Sequence, residues 1–321
     1  MNTLAVGIGA GLVSALLFLV VITGSPLAML LSFIAPLPIF IAALGWQHRA
    51  GLVAAAAGGL AIAILTSAAG LGLNPMAGFA FALGWALPAW WLAYLALLGR
   101  PLPDGSLEWY PLGRLVLWIA GTSALITLLG VVVLGEGSHE AYRANLQRAF
   151  EAFLRSDQPA TGEKPPNETL TAVVQALPFF FALNFVFVLT LNLWLAAKTV
   201  QISGRLPRPW PFIPATAMPR LSIGLLAGAV AAGFLDGFPG AFGLALSGAL
   251  LAVFALQGLA FLHDATRRRP ERRFILSALY ALALLASSVV LPVLAILGLA
   301  DVALSLRNRF GPGAAGPRTP T

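Results

Sequence analysis

Hydrophobic residues run along this chain in blocks, each close to the ~20 residues that cross a hydrocarbon layer. The blocks fall at 4–22, 27–46, 50–69, 77–98, 115–134, 170–197, 221–235 and 239–263. One more stretch, 274–306, would extend about 50 Å as a single helix, too long for a layer ~30 Å thick. It reads either as one span followed by an interfacial helix or as a tight hairpin bent at Pro292. The segment 138–156 obeys a different rule. Tyr142, Leu146, Ala149, Phe150 and Phe153 recur at i, i+3/i+4, while Glu140, Arg143, Gln147, Glu151 and Arg155 take the other faces. This amphipathic helix either lies in the lipid interface or covers an outward-facing pocket as a lid. The pattern predicts an all-α polytopic transmembrane helix bundle of about eight to ten spans. Residues 1–310 form one transmembrane helical domain, with the amphipathic helix in an extracytoplasmic loop at 135–168, and the Gly/Pro-rich 311–321 is a disordered tail.

Composition sharpens the picture. Hydrophobic residues make up 59% of the chain and charged residues 10%, against about 25% charged in ordinary globular proteins, too few to clothe a water-soluble fold of this size. With no cysteine, disulfides, thiolate nucleophiles and cysteine-based metal sites are excluded. The net charge of +7 sits in loops between apolar blocks, so it reports membrane topology and not nucleic acid. Arg49, Arg100 and Arg114, then Lys198, Arg205, Arg208 and Arg220, then Arg267, Arg268, Arg269, Arg272 and Arg273 occupy alternate loops, whereas 23–26, 70–76 and 236–239 hold no Lys or Arg. That alternation predicts a multi-pass protein of the bacterial inner (cytoplasmic) membrane with a cytoplasmic N-terminus. Arg307 and Arg309 favour a cytoplasmic C-terminus and hence the hairpin. No positive n-region precedes the first block, which reads as a retained span.

Candidate chemistry is sparse. His48, His139 and His263 lack ligand spacing, and neither a G-x-S-x-G elbow nor a P-loop occurs, so the sequence predicts no enzyme, cofactor or metal site. Between the block boundaries there is no Lys, Arg, Glu or His, and Asp301 is the one acid at any depth, which argues against autonomous proton-coupled transport. The polar residues that remain are neutral. Asn184 must face helices or a cavity, because an unpaired amide costs several kcal/mol (~2–7) in hydrocarbon. Asn192 lies roughly 80° round the helix from it, Gln175 falls nearly opposite, and Gln257 sits late in the block 239–263. These amides bond between helices or line a pocket. In 27–46, Pro36 and Pro38 leave the carbonyls of Ser32 and Ile34 without helical donors, a break that is either a kink or the mark of a binding site. Asn184, Asn192, Pro36, Pro38, Ser32 and Gln257 are thus the candidate solute-binding residues. Gly84, Trp85 and Pro88, and Pro178, give weaker break signals. Gly7/Gly11/Ala15 and Gly224/Gly228/Ala232 permit close helix approach, within this chain or with another membrane subunit. Trp210 and Phe212 on the proline-rich loop 201–220, and Arg267, Arg268, Arg269, Arg272 and Arg273, are candidate contacts for partners or lipid.

The Ala35-Pro36-Leu37-Pro38 run, the Arg208-Pro209 loop leading to Pro219, and the closing Leu297-Gly298-Leu299-Ala300-Asp301 followed by Arg307 resemble the YybS-like family of uncharacterised bacterial polytopic membrane proteins. That family is distantly similar to the S components of energy-coupling-factor transporters. The resemblance implies capture of a small solute from outside, with a separate ATPase module or other membrane subunit to drive it. The function expected is therefore that of a membrane protein binding a small solute, a transporter or the substrate-recognition subunit of one. A membrane scaffold recruiting cytoplasmic partners through its basic and proline-rich loops is the alternative.

Overall fold

The structure, a computed structural model, describes residues 2–68, 75–157 and 167–307. Thirteen helices follow in order among them: α1 Thr3–Leu19, α2 Pro26–Phe33, α3 Leu37–Gly45, α4 Gln47–Ala68, α5 Met76–Phe81, α6 Leu87–Ala96, α7 Leu112–Leu134, α8 His139–Asp157, α9 Asn167–Ile202, α10 Leu221–Ala232, α11 Gly237–Ala265, α12 Arg272–Leu285 and α13 Ser287–Leu304. Among the described residues, eight stretches are long and apolar enough to cross a membrane: Thr3–Thr23, Pro26–Gly45, Gln47–Ala68, Met76–Ala96, Leu112–Leu134, Glu168–Ile202, Gly237–Ala265 and Ser287–Leu304. Large apolar side chains cover their outer faces, Leu4, Leu60, Phe79, Phe180 and Ile296 among them, which only a hydrocarbon surround satisfies. The all-α polytopic bundle expected from the sequence is what the chain forms. The expected tail 311–321 and the residues 158–166 of the expected outer loop lie outside the described residues.

The chain makes two compact units, 1–119 with 187–211, and 120–186 with 212–321. In the first, α1 lies on α4, with Gly7 and Gly11 as the reason the backbones approach: a Cβ on Gly7 would stand 2.8 Å from the Ala50 carbonyl, and one on Gly11 2.8 Å from the Gly58 nitrogen. The proline pair does break its span, dividing it into α2 and α3. Ala35 N donates to Ser32 O at 3.1 Å and Leu37 N to Ile34 O at 3.0 Å, so the carbonyls that the prolines abandon are recovered in one tight turn. Side chains bond the others: the Ser14 hydroxyl of α1 donates to Ala35 O, and Asn192 Nδ2 of α9 to Phe33 O at 2.9 Å. The Gly84/Trp85/Pro88 signal corresponds to a π-helical turn, Ala82–Ala86, between α5 and α6. After α6, β1 (Gly99–Pro101) pairs antiparallel with β2 (Leu107–Trp109).

In the second unit α10 and α11 form a helical hairpin through 233–236. At the crossing of α11 and α13 both helices are bare: a Cβ on Gly258 would collide with Leu294 O, and one on Gly298 with Phe254 O. Gln257 Nε2 donates to Asp301 Oδ2 at 2.7 Å, Arg307 Nη1 to Pro214 O at 2.6 Å and Arg220 Nη2 to Ser305 Oγ at 3.3 Å. These contacts gather the C-terminal ends of α11 and α13 in one place. The two helices therefore run in the same direction, and α12 is the return leg between them. Its 14 residues reach about 21 Å, and none of them is buried.

Three expectations are corrected. The bend in 274–306 lies at Ala286 (φ −138°, ψ 49°), while Pro292 sits inside α13. The block 221–235 yields a helix of only 12 residues. Gly224 and Gly228 meet nothing within 4 Å, so they mediate no close packing among the described residues.

If the bare crossing holds the second unit together, Gly298→Val lowers the melting temperature in detergent by an amount equivalent to about 1–3 kcal/mol or more. Gly228→Ala, with open space around it, leaves it unchanged or raises it by about 0.5–1 kcal/mol. Thermal unfolding of the two purified variants checks the contrast.

Candidate functional site

A crevice opens at the end of the second unit where α7 hands over to α8. Gly137 (φ 84°) and Glu136 (φ 50°) turn the chain sharply, and Ser138 Oγ accepts from Ala141 N at 3.3 Å to start α8. Asn145 Nδ2 donates back to the last carbonyl of α7, Leu134 O, at 2.7 Å. Gln147 Nε2 donates to Thr171 Oγ1 of α9 at 3.1 Å. These bonds fix α8 against the bundle, and the apolar stripe read from the sequence supplies the grip: Tyr142 packs with Val131, Ala241, Leu146 and Phe238. The helix thus lies over protein, as the lid expectation requires.

Beneath it the cavity measures about 40 Å³ and is walled by His139, Tyr142 and Arg143 of α8, Val174, Gln175 and Pro178 of α9, and the 233–244 turn and first helical turns of α11. At roughly 10–15 Å³ per water, that is room for about three water molecules or one solute of similar bulk. Arg143 and Asp236 both line it, and neither makes an ion pair or hydrogen bond among the described residues. Asp236 begins α11 without using its carboxylate as a cap, so the opening amides of that helix also face this end. The Tyr142 side chain is 3% exposed, yet its hydroxyl has no partner among the described residues and is not sealed off. Tyr142 is among the residues that wall the crevice. Burial pushes the Tyr142 phenol up to about 12, so it remains a proton donor over the physiological range. His139 stands edge-on to Phe238, with ring centres 5.9 Å apart.

The residues singled out by sequence lie elsewhere. Asn192 is 1% exposed, in the first unit, and spends its Nδ2 on Phe33 O and, at 2.8 Å, on Val188 O; its Oδ1 has no partner. Ser32 donates to Met29 O at 2.7 Å, close to the Pro36/Pro38 break. Asn184 belongs to the second unit and is exposed, where the sequence argument puts it against helices or a cavity. Gln257 is spent on Asp301. None of the six walls the crevice. Among the loop candidates, Trp210 lies under Lys198 Nζ at 4.8 Å and Phe212 under the Arg267 guanidinium at 4.5 Å. Arg268, Arg269 and Arg273 are exposed, and Arg272 is half-buried.

A second polar centre, about 20 Å further along α11, joins three residues that the sequence named only separately. Asp301, 4% exposed, accepts from Gln257, from Arg307 Nε at 2.8 Å and from Arg307 N at 3.3 Å. Gln257 Oε1 and Arg307 Nη2 are buried there without partners. The one available signal was the Asp301/Arg307 spacing; nothing in the chain announces that Gln257 lies across from it.

Compared with known proteins, residues 12–302 match the family described as "Predicted membrane protein (DUF2232)". No curated protein and no solved structure matches the chain.

Asp301→Ala strands Arg307 and Gln257, so it costs about 3–5 kcal/mol, and adding Arg307→Ala recovers part of that loss; thermal melts of the single and double variants read the coupling. In ultraviolet titration one tyrosine ionises near 12, and Tyr142→Phe abolishes that phase. Because the folded-state value is raised, the stability Tyr142 contributes is complete below its ordinary value of 10.0 and is lost as pH climbs from there to about 12.

Proposed function

We propose, from the premise that this chain belongs to the DUF2232 family of predicted membrane proteins, that it captures a small polar solute in the crevice beneath α8. In this reading it is a transporter or the substrate-recognition subunit of one, and it binds without catalysing. One observation carries the proposal: Arg143, Asp236, Gln175 and the Tyr142 hydroxyl, none of them partnered among the described residues, wall a void about 40 Å³ in volume. Unpaired polar groups around a void add nothing to stability. A ligand accounts for them.

The alternation of basic loops supports an inner-membrane location with the N-terminus cytoplasmic, which puts α8 and its crevice outside. The resemblance to YybS-like proteins and, through them, to S components supports capture driven by a separate energising module. So does the absence of Lys, Arg and Glu from the apolar blocks, with His263 only at the edge of one. The scaffold reading keeps one favouring observation: Arg268, Arg269 and Arg273 are exposed beside Phe212, itself 48% exposed, a basic and aromatic surface suited to an acidic partner or anionic lipid.

Native mass spectrometry of the gently purified protein tests the main reading. Gln175 is exposed at the crevice wall, so Gln175→Trp keeps the fold and expels the retained solute, while Asn184→Leu keeps it. The opposite pattern moves the site to Asn184. A protein that carries no solute but loses bound partners when 201–220 and 267–273 are substituted is a scaffold.

A further inference from the structure

The crevice carries two opposite charges that do not meet. Arg143 and Asp236 both wall it, and no ion pair joins them. Were they to close on each other, the attraction would be satisfied internally; held apart in a shared hollow, each presents its charge to whatever enters. Net charge in the hollow is nil, so an anion would satisfy Arg143 and crowd Asp236, and a cation would do the reverse. A solute bearing both charges on neighbouring atoms satisfies both.

Resting on the solute-capture reading, we propose that the crevice receives a zwitterion of the α-amino acid type, its carboxylate on Arg143 and its ammonium on Asp236. The planar guanidinium fork matches a carboxylate through two parallel N–H donors. The Tyr142 hydroxyl, unpartnered on a side chain that is otherwise buried, bonds either end of the solute. Size agrees. The volume of about three water molecules accommodates the five heavy atoms shared by every α-amino acid, while exposed Gln175, Leu235 and Asp236 form an open rim through which a side chain projects. The structure thus selects the common backbone of the solute and leaves its side chain to the rim.

The test uses the full chain in phosphatidylglycerol nanodiscs, which keep zwitterionic headgroups away, with glycine, acetate and methylammonium as calorimetric probes at one ionic strength. Glycine binds, and acetate and methylammonium each bind roughly ten- to hundredfold more weakly, the range expected when one charge-assisted contact is lost. Arg143→Gln and Asp236→Asn each weaken glycine by a similar factor, Arg143→Lys by less, and melting temperatures confirm that all three variants fold. Acetate binding as tightly as glycine, unaffected by Asp236→Asn, overturns the zwitterion in favour of a plain anion; methylammonium binding unaffected by Arg143→Gln overturns it in favour of a cation. If none of the three binds while a solute expelled by Gln175→Trp still accompanies the purified protein, the zwitterion is wrong and solute capture stands. If nothing binds and nothing is retained, both fall.

Discussion

Hydrocarbon offers no hydrogen bonds, so every carbonyl that a helix releases where it breaks or ends must find its donor within the protein. That obligation explains where the polar side chains of this chain are spent. Ser14 and Asn192 bond the carbonyls released at the break between α2 and α3. Asn145 bonds the last carbonyl of α7, and Arg307 reaches Pro214 O beyond the end of α13. Ser32, Thr66, Thr127 and Ser247 turn back on carbonyls of their own helices. Polar residues in this bundle are first of all the fasteners of its irregularities.

Against that background the polar groups left over are informative. Single atoms such as Trp46 Nε1 and Asn192 Oδ1 are left over in the first unit, while in the second unit such groups gather at two places. Around Asp301 a buried carboxylate is bonded from three directions, and one oxygen of Gln257 and one nitrogen of Arg307 stay unmatched. Desolvation makes such a centre a poor source of stability and a strong determinant of register, because only one alignment of α11 and α13 lets the carboxylate reach its donors. Around the α8 crevice the unmatched groups face a void instead. The first arrangement fixes two helices; the second is open to a ligand.

The sequence made the architecture legible because an apolar block of membrane length needs no partner to be recognised. It also showed the α2–α3 break, since two prolines two positions apart delete two donors in one turn, and it showed α8, whose charged and apolar faces separate cleanly. It misplaced the bend near the C-terminus. Pro292 removes a single donor, the one due to Ser288, and the packing of Leu294, Ala295 and Gly298 on α11 keeps α13 continuous across it. The β1–β2 hairpin had a readable sign in Asp104-Gly105, with Gly105 at φ 81°, the pair that tight turns favour. The crevice showed only indirectly, through the reading of α8 as a lid and the weak Pro178 signal. Its walls come from three segments far apart in the chain, and their meeting is a property of packing; Gln175 was visible only as a residue on the far side of the helix from Asn184.

The length of α9 has one more consequence. Its 36 residues make a rod about 54 Å long, and even leaning 40° from the membrane normal it would rise about 41 Å, well beyond ~30 Å of oil. About 20 of these residues fill the oil, so turns at one or both ends of so long a rod stand in the wet headgroup zone. On the solute-capture reading, with the leading turns of α9 outside the oil, a hydrophilic visitor reaches Gln175 without shedding its hydration to travel through lipid. In that reading arrival is governed by diffusion through water, and the energetic toll of the oily interior falls only on whatever step comes after.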